Sequence, residues 1–176
     1  SVKKAIKQGM PCIAECGGFL YLHRELEDQD GIFYPMAGVL DAKAYRTNKL
    51  GRFGYINLTA NEAQLLGDKG MTIRGHEFHY WESEQCGESF HAKKPVGKRE
   101  WDCVNSSKSL YAGFPHLFFW SNPEAAYEFL KKLFGTQKDG EEPKAMTYAE
   151  LEAAIDADKK IQVVDVKAGG YVSKEK

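Results

Sequence analysis

Two residues have the side chains to do acyl-transfer chemistry together: Cys16 and, far downstream, His116. A thiolate is a strong nucleophile, and an imidazole is the side chain suited to taking its proton near neutral pH. Cys16 follows the run Pro11-Cys12-Ile13-Ala14-Glu15 and is itself followed by Gly17 and Gly18. The apolar run predicts a buried strand and the double glycine a break. Phe19, Leu20 and Leu22 predict the apolar face of a helix that runs to about Leu26. Strand, sharp turn and helix make a nucleophile elbow with cysteine at its tip. The helix N-terminus should lower the pKa of the Cys16 thiol, and the Gly17 N–H should point where an oxyanion forms. Glycine is expected beside the tip because such a turn crowds the backbone. The competing reading makes Cys16 an inert buried thiol, the usual state of a free cysteine.

His116 lies within Gly113-Phe114-Pro115-His116-Leu117-Phe118-Phe119-Trp120-Ser121-Asn122. In so apolar a run it is either a packed core histidine or the base that Cys16 needs. Only the fold can bring it within hydrogen-bond reach of the thiol.

The rest of the composition narrows the classes. The chain has 176 residues, 24 Lys and Arg against 25 Asp and Glu, and a formal charge of −1. No global field would attract nucleic acid or an anionic membrane. The four cysteines, Cys12, Cys16, Cys86 and Cys103, lack paired CxxC spacing, so neither a structural zinc nor a disulfide framework is indicated. With no signal peptide and no long apolar run, a reducing cytoplasmic location is expected.

Elements must place the two residues. Val2, Ala5 and Ile6 predict the tail of a helix stopped by Gly9, as if the chain began after an upstream segment. Strands are expected at Met36-Ala37-Gly38-Val39-Leu40 and at Ala42 to Tyr45. Tyr55-Ile56-Asn57-Leu58-Thr59-Ala60 alternates as a half-buried strand does, and residues 72–82 read as one longer extended stretch. Residues 101–104 and 110–112 are further strand candidates. A last helix is capped by Ser121 or Asn122, has Pro123 at its first position, and carries a stripe of Ala126, Phe129, Leu130 and Leu133. Lys131 and Lys132 suit its C-terminal dipole, and Gly135 ends it. Residues 1–135 therefore read as one domain and 136–146 as a charged linker. Residues 147–176 read as an appended helix–strand unit with a capping box at Thr147-Tyr148-Ala149-Glu150 and the strand Ile161-Gln162-Val163-Val164-Asp165-Val166. That unit resembles the opening of a rhodanese-like domain, which implies no function for so short a piece.

Three separated motifs carry a resemblance. Gly9-Met10-Pro11-Cys12-Ile13-Ala14-Glu15-Cys16-Gly17-Gly18, then Arg74-Gly75-His76-Glu77-Phe78-His79-Tyr80, then residues 113–122 resemble, in that order, the glutaminase domain of cobyrinic acid a,c-diamide synthases. These are class I (triad-type) glutamine amidotransferases. The resemblance spans about residues 1–134 and implies an α/β, flavodoxin-like domain that lacks its N-terminal strands here. It implies Cys16 as nucleophile and His116 as its activator, with Glu77 and His79 in the active-site surround or at a domain interface; a plain polar sheet face is the other reading of that pair. The class often places a carboxylate two residues after the histidine, where this chain has Phe118, so a Cys–His dyad is the assignment implied. The implied substrate is glutamine, whose ammonia serves an ATP- and Mg²⁺-dependent synthetase domain that amidates the a and c carboxylates of a corrinoid. No GxxxxGK[ST] loop occurs, so no cofactor is expected in this chain itself. Cobyric acid synthase-like and lipid II amidating enzymes are the alternatives within the class, and a non-catalytic interaction domain is the alternative outside it.

His76, Glu77 and His79 could suggest a metal, but strand alternation puts His76 opposite to Glu77 and His79, so no metal site is expected. The basic run Lys93-Lys94-Pro95-Val96-Gly97-Lys98-Arg99 reads as a solvated loop, or as a face toward an anionic corrinoid. Finally, the run 11–15 is apolar on both faces, which predicts a strand paired on both edges in a parallel sheet. One partner is expected from the strand near His116. The other edge is expected to be open, or covered by the strand at 161–166 or by a second copy of the chain.

Overall fold

The computed structural model describes residues 1–134. Helix α1 (Val2–Lys7) leads to strand β1 (Cys12–Glu15) and the short helix α2 (Gly17–Tyr21). Then come β2 (Glu25–Glu27), β3 (Phe33–Pro35), β4 (Lys43–Arg46), β5 (Phe53–Ala60), β6 (Thr72–Phe78) and β7 (Trp81–Ser83). They are followed by β8 (Phe90–Lys93), β9 (Glu100–Cys103), β10 (Asn105–Ser106), β11 (Leu110–Gly113) and β12 (His116–Phe118). A 3₁₀ turn (Phe119–Ser121) delivers the chain to α3 (Pro123–Phe134). The linker and the helix–strand unit expected at 136–176 lie outside the described residues.

The fold is α/β with mixed sheets. β1 pairs in parallel with β11, register Ala14 to Ala112, and β10 flanks β11 antiparallel. The order β12-β6-β5-β8-β9 makes a five-stranded antiparallel sheet, and β3-β2-β4-β7 makes a third sheet in which β2 and β4 run parallel. The inner face of the five-stranded sheet buries Ile56, Leu58, Ile73, Phe90 and Ala92 against Leu65, Leu66, Val104 and Tyr111. A second core gathers Ile6, Ala14, Phe19, Leu20, Leu22, Leu40, Ala112 and Phe114 around the elbow. Burying a side chain of the Leu or Phe size contributes about 1.5–3 kcal/mol, so this second cluster holds the elbow with substantial energy.

Several expectations need correction. The helix after Cys16 stops at Tyr21 rather than running to Leu26. The carbonyls that would continue it are taken by a distant segment: Ala37 N–H donates to Tyr21 O, Val39 and Leu40 to Leu22 O, and Gly38 to His23 O, at 2.8–2.9 Å. For the same reason residues 36–40 are not a strand; the strand there is β3, just before them. The stretch 72–82 is broken at His79-Tyr80, and its two parts join different sheets. Neither Ser121 nor Asn122 caps α3 with its side chain. Asn122 Nδ2 donates to Thr72 O at 2.8 Å, while Ser121 Oγ accepts the Arg74 N–H at 2.8 Å and donates to Phe118 O. Those bonds tie the start of α3 to β6. Ala125, not Ala126, is its buried residue, with Phe129 one turn on against the core, and Leu133 is exposed.

Among the described residues β1 has one paired edge only, through β11. Val2, Ile13, Gly18, Tyr21 and Phe119 line a groove along its other side.

Candidate active site

Cys16 sits between β1 and α2 at φ +45°, ψ −103°. A non-glycine residue with positive φ is uncommon and strained, which marks the turn as sharp. The strain therefore rests on the cysteine. A Cβ at Gly17 would meet nothing within 4 Å, and one at Gly18 only Ala14 Cβ at 3.7 Å, so crowding does not demand either glycine. Both glycines are exposed, while Cys16 between them and β1 is half-buried. The Cys16 N–H donates to Gly113 O at 2.9 Å, fixing the elbow to the end of β11, and the thiol lies 4.0 Å from Phe78 O.

β12 begins three residues beyond Gly113 with His116, which is exposed and in register with His76 of β6. Gly75 makes this pairing possible, because a Cβ there would lie 2.8 Å from His116 O. Phe114 locks the surroundings together. It meets Phe19 of α2 edge-on at 5.0 Å and stacks on the His79 ring at 3.7 Å and 7°. One aromatic ring thus couples the elbow helix, the approach to His116, and the end of β6. Glu15, directly before the cysteine, bridges the two halves of the site: Oε1 accepts the Leu117 N–H at 2.9 Å, and Oε2 lies 3.6 Å from His116 Nδ1. The sequence motifs single out Cys16 and His116 and give Glu15 no role. Its signal was a lone carboxylate in an otherwise apolar strand.

Glu77 and His79 share the inner side, as alternation on β6 requires, while His76 faces out against Phe53 and Tyr55. Glu77 is fully buried with no hydrogen-bond partner on either oxygen, and burial pushes its carboxyl up to about 7, against the pull of Arg52 and Lys94. His79 is held by Trp81 O at 2.6 Å from Nδ1, and burial lowers its pKa. His23, unnoticed in the sequence, is buried with Nδ1 2.8 Å from Phe19 O and Nε2 2.6 Å from Ser83 Oγ. Both of its nitrogens are engaged in holding α2, so its role is structural. Among the described residues no group of three His, Cys, Asp or Glu side chains could hold a metal ion. The basic run at 93–99 forms the turn between β8 and β9, where Lys94 donates to Phe53 O and Tyr55 O.

The expected fall in the Cys16 pKa is reversed. Burial raises the thiol above its ordinary value, the Gly17 N–H pulls it down, and the carboxylates of Glu15 and Glu77 raise it further. A helix of five residues offers too few aligned peptides to outweigh that desolvation. The resting group is therefore a thiol that needs a base to react at neutral pH. Cys12 and Cys86, half-buried like Cys16, are also raised by burial, and Cys103, fully buried, is raised furthest. A glutamine-like chloroketone is expected to label Cys16 before the other three, faster as the pH rises from 7 to 9. Peptide mapping after partial labelling checks this, and first modification at Cys86 or Cys103 would contradict it.

Comparison with known proteins gives the family. Residues 1–124 match the CobB/CobQ-like glutamine amidotransferase domain family. The chain is similar to the cobyrinate a,c-diamide synthase of Caldanaerobacter subterraneus, 36% identical over 133 residues, covering 74% of this chain and 29% of that protein. It is similar to that of Fusobacterium nucleatum at 37% over 139 residues, covering 76% and 29%, and to that of Thermoplasma volcanium at 46% over 79 residues, covering 45% and 17%. The chain thus spans under a third of the length of these relatives. No helix among the described residues is long and apolar enough to cross a membrane. On the matched length and the three motifs together, the chain belongs to the CobB/CobQ-like glutamine amidotransferase family.

Proposed function

We propose that the chain is the glutaminase part of an amidotransferase, with Cys16 as nucleophile and His116 as its base. The observation that carries this reading is the strained elbow at Cys16, tied through Glu15 to His116. His116 takes the thiol proton, and the sulfur attacks the side-chain amide carbon of glutamine. The Gly17 N–H, in its open surroundings, donates to the oxygen as negative charge develops there. The imidazolium returns its proton to the departing nitrogen, ammonia leaves, and water then releases glutamate from the thioester. Glu77 and His79 form the buried floor behind this site.

In the same reading the parent enzyme is a cobyrinate a,c-diamide synthase of cobalamin biosynthesis, acting in the cytoplasm. The ammonia goes to its synthetase domain, where ATP and Mg²⁺ activate the corrinoid carboxylates; no step on this chain passes through either. Strands of the parent protein would pair with the edge of β1 that has no partner among the described residues and complete a flavodoxin-like sheet. The similarity to cobyrinate a,c-diamide synthases and the Gly75-His76-Glu77-Phe78-His79-Tyr80 motif support this acceptor over cobyric acid synthase-like or lipid II amidating chemistry.

The test is glutamate release from glutamine by the chain, alone and with the synthetase supplied together with ATP and cobyrinate. Hydrolysis that rises on adding the synthetase supports the reading. Glutamine left intact in both mixtures would overturn it in favour of a non-catalytic interaction domain.

A further inference from the structure

We propose that Glu15 is the positioning residue of the site, the carboxylate that holds the His116 ring in the orientation needed to exchange a proton with Cys16. The proposal rests on the glutaminase reading above and supplies what that dyad lacks. Two residues after His116 stands Phe118, half exposed and without a carboxylate. Among the described residues no other acidic side chain comes within 4 Å of His116.

Glu15 reaches it from the other direction, along the strand that carries the nucleophile. Its two oxygens engage two consecutive residues of β12: Oε1 accepts the Leu117 N–H at 2.9 Å, and Oε2 faces His116 Nδ1 at 3.6 Å. One contact is a hydrogen bond that fixes the backbone at the start of β12, and the other sets a carboxylate oxygen beside the ring at just over hydrogen-bond length. The carboxylate is half-buried, so its pull on the ring is only partly screened by water. The remaining titratable groups near the ring are arranged otherwise. His76 lies across the sheet in register and is not acidic, and Glu77 and His79 are turned to the inner side.

The chemistry follows from the ring's two nitrogens. A carboxylate facing Nδ1 favours the tautomer with the proton there, which leaves the Nε2 lone pair for the thiol. The Cys16 S–H proton then moves to Nε2, giving thiolate and imidazolium. The S–C bond forms at the amide carbon, and that same proton goes to the nitrogen as the C–N bond breaks. Glu15 keeps its place throughout and neither gains nor loses the proton in transit. The arrangement performs the role of a triad carboxylate, delivered from the residue before the nucleophile instead of from beyond the histidine.

The experiment compares Glu15→Gln, Glu15→Ala and Glu15→Asp with His116→Ala in the full chain. It reads glutamine hydrolysis, thermal unfolding and the ¹⁵N shifts of the His116 ring. Glutamine at position 15 keeps an acceptor for the Leu117 N–H and removes the charge. It is expected to keep the unfolding temperature and KM, lower kcat by about ten- to a hundredfold, and lose the Nδ1–H tautomer. Glu15→Asp is expected to recover part of both losses. Unchanged kcat and tautomer in Glu15→Gln, with loss only in Glu15→Ala, would make Glu15 a mere anchor of β12 and overturn the proposal. Full hydrolysis by His116→Ala would instead overturn the dyad itself. The ring shifts decide the matter even if the chain turns over slowly.

Discussion

Cys16→Ser is expected to abolish glutamine hydrolysis, by about a thousandfold or more, while leaving the fold intact. Oxygen for sulfur is a small change of volume at a half-buried site, and the thiol's hydrogen bond to Phe78 O is a long one at 4.0 Å, so little is lost there. The chemistry loses far more. A serine hydroxyl is much harder to deprotonate than even a raised thiol, and His116 has to supply the whole difference. A thousandfold corresponds to about 4 kcal/mol in the barrier. Cys16→Ala is expected to match Cys16→Ser in rate, whereas Cys12→Ser and Cys86→Ser are expected to stay within a fewfold of the parent. Steady-state glutamate release with circular dichroism of each variant checks this. A Cys16→Ser chain with the parent's rate would remove the thiol from the mechanism.

The largest effect on stability is expected at Glu77. Its carboxyl is fully buried and without a hydrogen-bond partner, and its pKa is pushed from 4.5 to about 7, chiefly by desolvation. A raised folded pKa means that the folded state binds the proton more tightly than the unfolded state. The associated stability is fully present below pH 4.5 and is lost as pH rises through about 7. At one pKa unit per 1.36 kcal/mol, the buried charge destabilises the protein by about 3 kcal/mol above pH 7. The buried imidazoles of His23 and His79 act in the opposite sense, because burial lowers their pKa and their stability is lost as pH falls. The difference between Glu77→Gln and the parent cancels those terms. Urea unfolding is therefore expected to show Glu77→Gln gaining on the parent by up to about 3 kcal/mol between pH 5 and pH 8. A difference that stays constant with pH would mean that Glu77 is ionised at no cost, through a partner such as the neighbouring Arg52.

The elbow was legible because its signals are local. An apolar run ended by two glycines leaves few options, and strand β1, the turn at Cys16 and the start of α2 all follow from it. The length of α2 was not legible, because the carbonyls of Tyr21, Leu22 and His23 are satisfied from residues 37–40, a contact no helical periodicity reports. β8 escaped notice for a related reason: Phe90–Lys93 is four residues long and becomes a strand only between β5 and β9. Strand alternation placed Glu77 and His79 together and His76 opposite, and the in–out alternation of β6 continues one residue past its end, to buried His79. The thiol pKa went the other way because a motif shows the helix end but not how deeply the sulfur is buried. Glu15 could not be assigned from spacing at all. Leu117, whose N–H it accepts beside His116, is 102 positions away, and only the pairing of β1 with β11 and the turn into β12 bring them together.

The most direct test of the central claim is to look for the acyl group on Cys16. The chain is mixed with glutamine, quenched in acid during turnover, digested, and analysed by mass spectrometry. A glutamyl group on the peptide carrying Cys16, absent from Cys16→Ala and removed by neutral hydroxylamine, is the result expected. Release of glutamate with that peptide unmodified, or with the group on Cys12, Cys86 or Cys103, would contradict it.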